Sequence, residues 1–345
     1  MRSSYLAATL LSFALLPASM RAPVFAQEAP SPGAPPPATD APPPPPDENN
    51  AATLNINVNL VNLYFSAYDK NGFVTNLVKS DCVVAEDKVP QTIKNFTQEK
   101  NLPLTIGLLL DTSPSQINVL PLEQQSGATF LRDVLTPKDE AFLISFDINV
   151  DLLSDYTNRP SEIQRALNKA TVNAGATYGS VTGNSEPRGT LLFDAVYLAA
   201  HDKLSMEAGR KVLILFTDGG DQGSQETLKT ATEAAQKSNA IVYVILIADP
   251  GFYASHGLMY GGSGDMQRLV SDTGGRVINV GNNGKRLEDA LNQIKDELRT
   301  MYLLSYTPTN PKADGTYRKI ELNCGKLKVQ TRTGYYAISA SDAGN

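Results

Sequence analysis

The hydropathy pattern changes character twice along the chain. In residues 53–100, Leu54, Ile56, Val58 and Leu60 alternate with asparagine, and the phase then shifts to Val61, Leu63 and Phe65. A period of two marks half-buried strands, and the phase shift predicts a bulge. Asp69-Lys70-Asn71-Gly72 is a hairpin turn signal, and short strands flank Glu86-Asp87-Lys88 at 82–85 and 91–96. From 101 to 300 the apolar runs become continuous, at 104–110, 141–146, 150–153, 211–217, 241–247 and 276–280. Helical periodicity fills the intervals, around 123–135, 161–170, 191–203, 225–238, 264–273 and 285–300. This alternation predicts a doubly wound, Rossmann-like α/β sheet with right-handed crossovers. Residues 301–338 return to strands, with a turn at Asp314-Gly315. Neither flanking β segment is large enough to fold alone. They are predicted to form one β-sandwich, with the α/β domain inserted between its halves.

The N-terminal pattern differs from both. Arg2, an apolar stretch from Tyr5 to Leu16 and the sequence Val24-Phe25-Ala26 predict a cleavable signal peptide over residues 1–26. The apolar stretch is shorter than the ~20 residues a spanning helix needs, so no membrane span is expected after cleavage. No cysteine lies directly after it, so no lipobox is expected, and the expected location is secreted or periplasmic. Residues 27–52 carry ten prolines between Pro30 and Pro46 and read as an extended linker. The two cysteines, Cys82 and Cys324, permit one disulfide in an exported protein, and a bond between them would join the two β segments; two buried free thiols are the alternative. A formal net charge of −6 without a basic block argues against nucleic acid as a partner.

Candidate chemistry gathers where the apolar runs stop. The run 104–110 ends at Asp111, and Asp111-x-Ser113-x-Ser115 places one carboxylate and two hydroxyls on a short loop. Open α/β sheets bind ligands at the carboxyl ends of their strands, and a set of oxygen donors suits a hard cation such as Mg²⁺. Mn²⁺ and Ca²⁺ are not distinguished from it. Two further elements belong to the same expected edge: Gly189-Thr190, at a loop-to-helix junction, and Thr217-Asp218-Gly219, after the run 211–217. Each residue alone has a structural explanation as a helix cap or turn former. Together they form a candidate ligand set of Asp111, Ser113, Ser115, Thr190 and Asp218.

The order and strand context of these three elements resemble the metal-ion-dependent adhesion site of von Willebrand factor A domains, over roughly residues 101–300. The flanking segments, at 59–68, Glu86-Asp87-Lys88-Val89-Pro90-Gln91 and 302–319, resemble bacterial secreted proteins that carry a related domain. Pro114 departs from the family, where glycine is common; it removes one loop N–H donor and leaves the side-chain ligands in place. The resemblance implies that the hydroxyls bind the ion directly and that the aspartates act mostly through water. It also implies that an Asp or Glu carboxylate of a protein partner completes the shell, with specificity set by loops 171–189 and 249–264.

Other chemistries find little support. His201 and His256 are the only histidines and form no His-Glu-x-x-His element, and Gly261-Gly262-Ser263-Gly264-Asp265 fails as a nucleophile elbow. Gly281-Asn282-Asn283-Gly284-Lys285-Arg286 lacks the spacing and hydroxyl of a phosphate loop. The expected function is therefore non-enzymatic: a secreted, metal-dependent protein-binding module of adhesion type. An envelope scaffold with a vestigial site is the alternative, followed by a metal-dependent hydrolase.

Overall fold

In the six-stranded central sheet the strands run in the order β11-β10-β9-β6-β7-β8. These are β6 (Leu104–Asp111), β7 (Glu140–Phe146), β8 (Val150–Thr157), β9 (Arg210–Thr217), β10 (Ala240–Leu246) and β11 (Val277–Asn279). The computed structural model describes residues 60–99, 102–173, 189–256 and 263–337. The expected signal peptide, the linker, most of loop 171–189 and the tip of loop 249–264 lie outside the described residues.

Every residue of β6, β9 and β10 is buried, as continuous apolar runs require when helices cover both faces. Alternation sorts their side chains between two cores. Leu104, Ile106, Leu108 and Leu110 of β6 pack in one cluster with Val212, Ile214 and Phe216 of β9. Helices α1 (Leu120–Val134), α2 (Pro160–Leu167) and α7 (Gly284–Thr300) supply Leu131, Ile163 and Ile294 to that cluster. Leu109, Leu213 and Leu215 face the other cluster, with α3 (Leu192–Leu198), α4 (Leu228–Lys237) and α6 (Ser263–Thr273).

The chain leaves β6 for β7 on one side and runs from β9 to β10 on the other, while β6 and β9 pair in parallel. That reversal of winding direction opens a crevice at the carboxyl ends of these two strands. Leu110 pairs with Phe216, so Asp111 and Thr217 end adjacent strands at the same level.

The sheet is mixed rather than wholly parallel, because β8 pairs antiparallel with β7. Only Asp147-Ile148-Asn149 joins the two strands, and a crossover to a parallel neighbour needs a dozen or more residues. A second correction concerns 249–264, expected as a loop: it contains α5 (Pro250–Ser255). Asp249 accepts the Gly251 N–H at 2.9 Å, and Pro250 occupies the first turn. An acceptor followed by proline is a helix start that the apolar pattern alone does not reveal.

Two antiparallel sheets flank this layer. One has the order β14-β1-β12-β5 with β2 beside β1, the other β15-β13-β3-β4. Their strands are β1 (Val61–Asp69), β2 (Gly72–Phe73), β3 (Val83–Glu86), β4 (Val89–Gln91), β5 (Ile93–Gln98), β12 (Tyr302–Tyr306), β13 (Tyr317–Asn323), β14 (Lys328–Gln330) and β15 (Gly334–Tyr336). Both chain segments thus contribute to both sheets. The β1–β2 turn falls at the predicted Asp69-Lys70-Asn71-Gly72, with Gly72 at φ 120°, a region open to glycine. β1 pairs with β12 in unbroken register from Val61 to Phe65; the expected bulge, at the phase shift after Leu60, falls at the edge of the described residues. Leu63, Phe65, Val84, Tyr302, Tyr306 and Ile320 share a buried cluster. Glu86, also buried, accepts the Tyr306 hydroxyl at 2.8 Å and the Tyr335 hydroxyl at 2.9 Å. A disulfide joins Cys82 to Cys324 across a sequence separation of 242.

Candidate metal centre

The loop after β6 is fixed by its own first residue. Asp111 is wholly buried, and its Oδ1 accepts the Ser113 N–H at 3.0 Å. Its Oδ2 accepts the Thr217 hydroxyl at 2.7 Å, which ties the ends of β6 and β9 together. Thr217 Oγ1 accepts the Gly219 N–H at 3.0 Å, and Gly219 turns the chain at φ 85°. Pro114 opens a single tight helical turn, Pro114–Gln116, where its missing N–H has no intrahelical role. The Gln116 N–H closes that turn on the Ser113 carbonyl at 3.0 Å.

Within this frame the two serine hydroxyls point to one place. Ser113 Oγ and Ser115 Oγ are 3.1 Å apart, and Ser115 Oγ donates to Asp218 Oδ2 at 2.5 Å. The Tyr253 hydroxyl of α5 donates to the same carboxylate oxygen at 2.5 Å. Asn118 holds α5 in position by donating to Asp249 Oδ2 at 2.6 Å. Asp111, Ser113, Ser115 and Asp218 therefore form one hydrogen-bonded cluster.

Thr190 joins the edge differently. It pairs through its backbone with Gln222, each N–H donating to the other's carbonyl at 2.9 Å. The next residue, Leu191, donates its N–H to the Asp147 carbonyl at 2.8 Å, and the Thr112 hydroxyl donates to Asp147 Oδ2 at 2.9 Å. Asp194 and Asp221 brace the same region: Asp194 accepts the Glu226 N–H at 2.7 Å, and Asp221 accepts the Phe193 N–H at 3.1 Å. Thr190 thus sits on the strand-end surface beside the segment that follows Asp218. Its backbone, rather than its hydroxyl, makes these links.

The electrostatics favour a cation. Burial, and then the neighbouring Asp218 charge, push the Asp111 carboxyl up to about 7. Burial together with Asp218 also raises the Tyr253 phenol far above its ordinary value, so it stays a donor. Glu123, on the first turn of α1, is wholly buried, and burial with the Asp111 and Asp218 charges holds its carboxyl well above the usual range.

The donor set fits a hard divalent ion. Two ligands at right angles and ~2.1 Å from Mg²⁺ stand about 3 Å apart, which matches the Ser113–Ser115 oxygen separation of 3.1 Å. A serine whose proton goes to Asp218 keeps its lone pairs for an ion. Among the described residues no group of three or more His, Cys, Asp or Glu is placed to hold a metal. A site here therefore needs the hydroxyls.

Thr217, Tyr253, Asp147 and Glu123 were not among the expected ligands, although Tyr253 lies in a loop expected to set specificity. Glu123 left a trace in the sequence, as an acid on the face of α1 that buries Leu120, Gly127 and Leu131. Asp147 left none, since its part depends on the β7–β8 turn.

No family model and no curated protein matches the sequence. Solved structures similar to it include the conserved hypothetical protein BatB from Bacteroides thetaiotaomicron, at 17% identity and TM-score 0.45, covering 57% of this chain and 99% of that one. The VWA domain of SpRpn10 is similar at 15% identity and TM-score 0.39, over 56% of this chain and 95% of that one. Proximal thread matrix protein 1 of the mussel byssus, with a zinc-occupied MIDAS motif, is similar at 16% identity and TM-score 0.45, over 60% of this chain and 49% of that one. The strand order around β6 and β9 and the Asp-x-Ser-x-Ser loop at their carboxyl ends identify a fold of the von Willebrand factor A type.

Proposed function

We propose that this chain is a metal-dependent protein-interaction module of adhesion type, without catalytic activity of its own. Its ion, Mg²⁺ or a similar divalent cation, is held by Asp111, Ser113, Ser115, Thr190 and Asp218. The single observation that carries this reading is the Ser113–Ser115–Asp218 cluster: two hydroxyl oxygens 3.1 Å apart, one of them already donating its proton to a carboxylate. Such a site supplies two carboxylates and neutral hydroxyls, so a bound divalent ion retains electrophilic character and room for a ligand from outside. A partner's Asp or Glu side chain suits that position through a charge-assisted contact.

In this reading the α/β layer is a von Willebrand factor A domain inserted in a β-sandwich built by the two flanking segments. The chain is exported, with residues 1–26 as signal peptide and 27–52 as tether. Among the described residues no helix is long and apolar enough to cross a membrane. The zinc-occupied motif of the byssus protein makes a divalent ion a reasonable first probe.

The test is thermal unfolding of the full chain in EDTA and then with Mg²⁺ or Mn²⁺, for wild type and for Asp111→Ala with Ser113→Ala. An ion at ~100 times its Kd stabilises the folded state by about 2.7 kcal/mol. The wild type is expected to gain that stability and the double variant is not. Acidic peptides immobilised on beads should then retain the wild type with Mn²⁺ and release it in EDTA. A wild type indifferent to millimolar metal would sink the reading.

A further inference from the structure

Glu123 has no structural reason to be an acid. Its side chain is wholly buried, and neither carboxylate oxygen has a hydrogen-bond partner. Its neighbours along the buried face of α1 are Leu120, Ser126, Gly127 and Leu131, and an apolar residue would complete that face. An unpartnered carboxyl in a core costs free energy whether charged or neutral. The charges that act on it are those of Asp111 and Asp218. Seven residues upstream, in the turn Pro114–Gln116, Gln116 is also wholly buried, with its Oε1 unpartnered while its Nε2 donates to Ser115 Oγ at 3.4 Å. Buried acceptor oxygens are thus left without partners both on Gln116, in the turn of the DxSxS loop itself, and on Glu123, within range of the Asp111 and Asp218 charges.

We propose that Glu123 is a further residue of the metal centre, supporting the ion's shell from the core side through water. The inference rests on the metal-site reading above. Direct ligation is not its role, because Glu123 does not form a metal-holding group with Asp111 and Asp218. A hydrated Mg²⁺ or Mn²⁺ keeps several waters, whose protons are strong donors, and these are what Glu123 Oε1, Glu123 Oε2 and Gln116 Oε1 lack. Outer-shell partners of this kind orient the inner ligands. Glu123 is accordingly a positioning residue, and its cost in the ion-free protein is offset when the ion binds.

The test is Mn²⁺ titration of the full chain, followed by electron paramagnetic resonance of the free ion. Four proteins are compared: wild type, Glu123→Gln, Glu123→Leu, and Asp111→Ala with Ser113→Ala. Thermal unfolding in EDTA is recorded for each. Glu123→Gln and Glu123→Leu are expected to bind Mn²⁺ ~10- to 100-fold more weakly than wild type. In EDTA both should unfold no earlier than wild type, with Glu123→Leu the more stable. A residue that merely filled the core would lower stability without this selective loss of affinity. Wild-type affinity in both Glu123 variants would overturn the proposal while leaving the metal site intact. No Mn²⁺ binding by the wild type would overturn both.

Discussion

The Tyr253 hydroxyl donates to Asp218 Oδ2 at 2.5 Å, on the oxygen that also accepts the Ser115 hydroxyl. Two donors on one carboxylate oxygen withdraw charge from it, and any ion approaching Asp218 competes with them. A hydrogen bond to a charged group contributes about 1.5–3 kcal/mol. Tyr253→Phe should therefore lower the melting temperature in EDTA and tighten Mn²⁺ binding several-fold. Isothermal titration calorimetry with Mn²⁺ measures the second effect. If affinity falls instead, Tyr253 orients Asp218 for the ion rather than competing with it.

Thr190 occupies the loop edge through its backbone pairing with Gln222, and its hydroxyl carries none of that stitching. Thr190→Ala should then leave stability in EDTA within about 0.5 kcal/mol of wild type. If the hydroxyl is a ligand, Mn²⁺ affinity should drop by an order of magnitude or more. Thr190→Ser, which keeps the oxygen, should restore most of it. An alanine variant with unchanged affinity would remove Thr190 from the ligand set.

Much of this arrangement was legible in the sequence because it depends on local pattern. The uninterrupted runs before Asp111 and Asp218 read as strands buried on both faces, and central strands of an open α/β sheet end at its ligand edge. The adjacency of Asp111 and Thr217 was not legible. It depends on β6 and β9 pairing in register across more than a hundred residues of chain. The antiparallel β8 could have been inferred from the shortness of the 147–149 link. Helix α5 could have been inferred from Asp249-Pro250. The contact of Tyr253 with Asp218 could not, since it needs α5 docked by Asn118.

At the opposite ends of the strands, Asp139 fastens several elements at once. Its Oδ1 accepts the Leu104 N–H at 2.9 Å, and its Oδ2 accepts the Thr136 hydroxyl at 2.6 Å and Arg299 Nη2 at 2.7 Å. Burial alone would raise this carboxyl, but the hydrogen bonds from Thr136 and Arg299 outweigh it and hold the carboxyl below the ordinary value of 3.8. With a folded value below the unfolded one, the unfolded chain binds the extra proton, and stability rises with pH across that interval. The contribution is complete above about pH 4 and is lost as pH falls through the folded value. Asp139→Asn should cost about 3 kcal/mol at neutral pH. Urea unfolding at pH 7 and pH 3 should show the gap between variant and wild type shrinking in acid. A gap independent of pH would mean that the side chain acts by shape alone.

Glu297 connects α7 to the antiparallel sheet that α7 leads into. Its Oε1 accepts the Ser66 hydroxyl of β1 at 3.2 Å, and its Oε2 pairs with Arg276 Nη2 at 2.9 Å, with the glutamate side chain 1% exposed. Removing one member of a buried pair strands the other charge, at a cost of about 3–5 kcal/mol. Glu297→Ala should fall in that range. Arg276→Ala should cost at least as much, because it strands the buried glutamate, whereas Glu297→Ala leaves an arginine whose side chain is 26% exposed and can be hydrated. The double variant should be more stable than the sum of the single losses predicts, by roughly 1–3 kcal/mol of coupling. Urea denaturation of the four proteins measures this cycle, and additive losses would mean that the pair does not act as a unit. Mn²⁺ affinity should be unchanged throughout, because none of the three residues belongs to the Asp111–Asp218 cluster. If affinity shifts with Glu297→Ala, the ion site and the flanking sheet are energetically linked through α7, and Ser66→Ala should then reproduce the shift without disturbing the ion pair.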